Sequence, residues 1–80
     1  MPYIKQEDKS RVNSFGAETS GELNFAITRL LIKYIEAHGL SYQIINDIAG
    51  ALCGATAEFQ RRVVVDYEDA KIEENGDVYP

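Results

Sequence analysis

The sequence contains no tryptophan, a single cysteine (Cys53), a single histidine (His38) and two prolines. Each shortage closes a class of protein. One cysteine excludes an intrachain disulfide, and one histidine beside it leaves no zinc-ligand spacing, so no metal site and no cofactor is expected. No run approaches the ~18 apolar residues of a membrane span. Met1-Pro2-Tyr3-Ile4-Lys5 lacks the apolar core of a secretory signal. A lone cysteine among alanine and glycine suits a reducing compartment, so the expected location is cytoplasmic. Eighty residues make one domain, 1–80. A chain this short buries only about 60% of its unfolded surface, and without disulfide or metal the staple that remains is self-association.

Bases are scarce as well: 8 lysines and arginines face 13 acids, for a net charge of −5. Seven acids and seven bases lie in residues 1–65, whereas 66–80 hold six acids against Lys71 alone. A neutral body with an acidic tail lacks the basic stripe of a general nucleic-acid binder.

What the sequence does carry is helix. Apolar residues make up 45% of it, enough for a folded domain. Residues 1–20 read as a polar arm with a short helix from Gln6 to Asn13. Thr19-Ser20-Gly21-Glu22 fits a capping box, in which Thr19 bonds forward to the Glu22 amide and Glu22 reaches back. Leu23, Ala26, Ile27, Leu30, Leu31 and Tyr34 then recur at the helical period. Gly39 ends this helix from the αL position, beside His38. Ser41 caps a second helix, with Leu40 placed to staple onto Ile45. Its apolar stripe is Ile45, Ile48, Leu52, Ala55, Phe59 and Val63.

These signals predict an all-α fold: an antiparallel hairpin of helices at about 21–38 and 42–65, with an acidic segment, 66–80, at the end. Residues 66–74 either extend the second helix or form a third, and Asn75-Gly76 ends it in both cases. The first helix also carries Phe25, Ile32 and Ile35, so it is apolar around most of its circumference. One hairpin cannot bury that much, and the expectation is a homo-oligomer, unless the arm and tail fold back over the surplus.

Candidate ligand-binding residues form a stripe beside the apolar one: Asn46, Gly50, Gly54, Ala57 and Arg61, spaced by three or four. Two mid-helix glycines cost ~1 kcal/mol each relative to alanine, which implies that something approaches the backbone closely. That something is either a packed helix or a planar or phosphorylated small molecule held by Asn46 and Arg61. Arg61 suits phosphate through its planar fork. Arg62, adjacent to it, points about 100° away, too far to share one fork, and pairs with Glu58 instead. Asn24, Thr28 and Arg29 share one side of the first helix and are candidates for the same groove. Of the five tyrosines, Tyr42 and Tyr67 are the candidates for stacking. No catalytic constellation is evident. His38 reads as a solvated cap, Cys53 as an inert buried thiol, and the tail acids as a solvated face without calcium-loop order. The chain is not expected to be an enzyme.

Several segments together act as a fingerprint: Met1-Pro2-Tyr3-Ile4, Gly21-Glu22-Leu23-Asn24, Ser41-Tyr42, Ile45-Asn46-Asp47-Ile48, Glu58-Phe59, Arg61-Arg62-Val63-Val64 and Glu74-Asn75-Gly76-Asp77-Val78-Tyr79. On these the chain resembles a family of short proteins found in tailed phages and prophages. Relatives often have proline where Asp66 stands. The resemblance implies a phage origin and carries no activity with it. It shifts the functional expectation toward a host-defence antagonist: a homo-oligomer that sequesters a cyclic nucleotide or ADP-ribose-like signal between subunits. The other expectation is an acidic adaptor that docks on a host or phage protein complex.

Overall fold

The computed structural model describes residues 3–80, Phe15 by its backbone alone, so Met1 and Pro2 of the fingerprint lie outside the described residues. Every regular element is helical: α1 (Gln6–Phe15), α2 (Ser20–His38), α3 (Tyr42–Phe59), a π turn (Gln60–Val64) and α4 (Val65–Asn75). The chain divides into two units, residues 1–44 and 45–80.

In the first unit, α1 is a 10-residue helix, too short to stand alone in water. Its support comes from Val12, 2% exposed, and from Arg11, which reaches into the first turn of α2. Thr19 caps α2 as the sequence predicts, its Oγ1 accepting the Glu22 amide at 3.2 Å. The reverse half of the box differs. Glu22 Oε1 accepts the amide of Glu18 at 3.0 Å, and Oε2 accepts Arg11 Nη2 at 2.5 Å. The carboxylate is drawn past the cap because α1 supplies a cation there, and Glu22 ends 5% exposed. Gly39 closes α2 with φ 80° and ψ 156°, and its amide reaches Ile35 O at 2.7 Å. The positive φ demands glycine, but the extended ψ is not αL. Ser41 follows as the expected cap, its Oγ accepting the Ile44 amide at 3.3 Å.

In the second unit the helix does not stop near 65. The Val65 amide bonds Gln60 O, one residue beyond the α register, and the chain then continues helically to Asn75. Asp66 permits this, where a proline would lack the amide and crowd the preceding turn. One extra residue in a turn sets every later residue back by roughly 100°. Tyr67 therefore stands where Asp66 would stand in an uninterrupted helix, below Phe59 and Val63. Gly76, at φ 90°, ends α4 and bonds Ile72 O at 2.7 Å. No residue of 45–80 is buried.

Candidate ligand-binding site

Arg62 pairs with Glu58 as its spacing predicts, and Arg61 pairs with the same carboxylate. Arg61 Nη2 donates to Glu58 Oε2 at 3.1 Å and Arg62 Nε to the same oxygen at 2.9 Å. A single carboxylate three and four residues earlier faces both, since i+3 and i+4 flank the same helix side. Both side chains are about two-thirds exposed, so these pairs add little to stability. Arg61 is thus a partly neutralised surface cation in the π turn, and π turns are frequent at functional positions.

The rest of the predicted stripe stands in the open. A Cβ placed on Gly50 or Gly54 would meet nothing within 4 Å, so nothing among the described residues requires glycine at either position. At about 100° per residue, Gly50 and Gly54 lie some 200° from Leu52. The small-residue stripe therefore runs opposite the apolar stripe, not beside it, and a partner packed on one face leaves the other free. Asn46 is exposed, and so is Cys53, which the sequence places in a core. Tyr67 is exposed beneath Lys71 Nζ, 5.5 Å from its ring centroid, and Tyr42 is 88% exposed.

The first unit offers a more enclosed place. Asn24 and Thr28 meet as their spacing suggests, the Thr28 hydroxyl donating to Asn24 Oδ1 at 3.2 Å. Beside them a hollow of about 390 Å³ is lined by Tyr3, Ile4, Lys9, Phe25, Thr28, Arg29 and Ile32. A second, of about 200 Å³, is lined by Arg29 with Lys33, Val12 and Leu30. Arg29 is half-buried and borders both hollows. Of the sequence candidates, Arg29 and Thr28 take part directly and Asn24 through Thr28. Tyr3 and Lys9 were missed, because only the docking of α1 and the arm on α2 brings them there. Phe25 was legible as surplus apolar surface on α2, without a stated role.

The electrostatics of this unit are uneven. Residues 1–44 hold five acids and five bases. Arg11 gathers three of the acids: Glu22, Glu18 at 3.4 Å and Asp8 at 3.7 Å. The hydrogen bond to Glu22 holds the Arg11 guanidinium above its usual range. The same bond, then the Glu18 amide, holds the Glu22 carboxyl below the ordinary carboxylate range. Lys5, Lys9, Arg29 and Lys33 are left with no ion pair among the described residues.

The His38 ring lies against Tyr34 at a tilt of 44°, with 4.4 Å between centroids. Among the described residues no group of three or more histidine, cysteine, aspartate or glutamate side chains is arranged to hold a metal ion. No helix among them is long and apolar enough to cross a membrane.

Neither curated proteins nor solved structures match this sequence. A family model does, over residues 1–78, and with nearly the whole length matched the chain belongs to the domain of unknown function family DUF6899.

Proposed function

We propose that the chain is a non-catalytic binding protein that assembles with copies of itself. One observation carries this reading: the unit 45–80 has no buried residue, yet Ile45, Leu52, Phe59, Val63, Val65 and Ile72 stand exposed along its helix. An isolated helix holds little stability of its own, and at ~25 cal/mol per Å² several wet apolar side chains sacrifice several kcal/mol. A second copy supplies an identical apolar face to cover them through helix–helix packing between copies. The finer role in this reading is to sequester a nucleotide-derived signal, cyclic or ADP-ribose-like, as a phage antagonist of host defence. Support for that role is the set of unpaired cations around Arg29 and the resemblance to phage proteins.

Native mass spectrometry of the intact chain across a range of concentrations, set against its denatured mass, tests the assembly. An oligomer is expected, and a stoichiometric small-molecule increment would extend the reading to the trap. A monomer at every concentration overturns it.

The adaptor reading rests on a separate observation. The whole net charge of −5 falls in residues 45–80, where Asp66, Glu68, Asp69, Glu73, Glu74 and Asp77 surround the exposed Val65, Tyr67 and Ile72. Apolar side chains set among acids suit a basic-rimmed protein groove. Under this reading, neutralising Glu68, Asp69, Glu73 and Glu74 destroys function while Arg61→Ala is mild.

A further inference from the structure

We infer that the hollow between the N-terminal arm, α1 and α2 is a binding site for a nucleoside phosphate, with Arg29 and Lys9 taking the phosphate and Tyr3 and Phe25 the base. The inference rests on the reading of this chain as a binding protein and names its ligand site, moving the centre from Arg61 to Arg29.

The volume, about 390 Å³, is within the range of small-ligand sites. The lining is mixed in the way such a ligand requires. Tyr3 and Phe25 offer aromatic surface, Ile4 and Ile32 apolar wall, and Arg29 and Lys9 positive charge at one hollow. Neither cation has an ion pair among the described residues, while Arg11 gathers Asp8, Glu18 and Glu22. Lys9 Nζ donates to the neutral Gln6 amide oxygen at 3.1 Å. A half-buried arginine without a carboxylate carries a charge that an entering anion would neutralise, and its planar fork matches phosphate oxygens. The hydroxyl of Thr28 already donates to Asn24 Oδ1, so its oxygen is left to accept. Acceptance calls for a ligand that also donates there, as a ribose hydroxyl does. Tyr3 is 84% exposed at the rim, which leaves the hollow open on one side. An open rim with a single aromatic ring suits a stacked base better than a long acyl chain, which needs enclosure along its length.

Arg61 is the weaker site on the same criteria. It is well exposed, already paired with Glu58, and followed closely by Asp66, Glu68 and Asp69.

The test is amide chemical-shift titration of the full chain with ADP, adenosine and inorganic phosphate in parallel. ADP is expected to shift residues 3–9 and 25–32 saturably. Adenosine and phosphate alone should each bind at least about tenfold more weakly, since each offers half of the contacts. Arg29→Gln should lower ADP affinity about tenfold or more with α2 still helical by circular dichroism, whereas Arg61→Gln leaves it unchanged. Absence of a saturable ADP shift, equal binding by Arg29→Gln, or loss in Arg61→Gln alone each overturns the site. So do groove shifts that follow protein dilution and not ADP, which would assign the hollow to a segment of a second copy. An oligomer that ignores ADP sinks this inference and leaves the proposed assembly standing. A monomer that binds ADP at residues 3–9 and 25–32 does the reverse.

Discussion

Arg11 donates to Glu22 across eleven residues of sequence, joining the middle of α1 to the first turn of α2 at 2.5 Å. Glu22 is the buried partner, and its second oxygen holds the Glu18 amide in the loop between the helices. One carboxylate thus fixes a helix, a loop and a helix start. Replacing Arg11 with methionine keeps much of the aliphatic bulk and removes the charge, leaving a buried anion unpaired. The expected outcome is loss of α1 while the rest persists: amide exchange across 6–15 rises toward loop rates, and exchange across 45–72 stays as in the parent. Unchanged protection in α1 would show that Val12 alone suffices to dock it.

The same pair sets a pH dependence. Glu22 has its carboxyl held low in the folded chain, while the unfolded chain protonates near the ordinary value of about 4.3. Above that value neither state binds the proton, and the stabilisation is complete. As pH falls, the unfolded state takes up the proton first, so stability drops through the folded value. Arg11 stays protonated throughout and adds no slope of its own. Melting curves should show Glu22→Gln less stable than the parent by a constant margin between pH 6 and 8, with the margin closing below about pH 4. A constant margin down to pH 3 would mean that packing, not charge, carries the Glu22 contribution.

The helices and their ends were legible because the signals are local: Thr19 before Glu22, Ser41 three residues before Ile44, and Gly39 and Gly76 at the stops. The π turn was not. Its residues Gln60–Val64 run from good helix formers to two β-branched valines, and nothing at that level separates an α from a π register. Cys53 is exposed where its apolar neighbours along the helix predict burial, because a core needs a second element to cover it. The hollow at Arg29 was half legible. Asn24, Thr28 and Arg29 share a helix side and could be grouped by spacing, but Lys9 and Tyr3 belong to it only through tertiary docking.

Gln60 opens the π turn, and deleting it offers a direct probe. The wide turn holds one residue more than an α turn, so a chain one residue shorter can close the α register and keep the downstream side chains on their present faces. Tyr67 would hold its alignment below Phe59. The Glu58 pairs would be reset, because Arg61 and Arg62 each move one position closer to it. Circular dichroism should show equal or greater helicity and an equal or higher Tm. A marked fall in Tm would show that the wide turn is required for stability.

Phe59 decides between the two faces of the long helix. It is 57% exposed, in line with Leu52 and Val63, and almost opposite Gly50 and Gly54. Glutamate at 59 places a charge in the apolar stripe, where burial against another copy would cost at least the ~1.5–3 kcal/mol of the lost phenyl ring. Because a symmetric contact uses the position twice, the dissociation constant should rise about a hundredfold or more. Glutamate at Ala57, on the small-residue face, should leave self-association intact if the apolar stripe is the seam. Sedimentation equilibrium of both variants beside the parent reads this directly. Dissociation by Ala57→Glu with Phe59→Glu still assembled would reverse the assignment: the Asn46, Gly50 and Gly54 stripe would be the contact between copies, and the apolar stripe would be covered from within the chain.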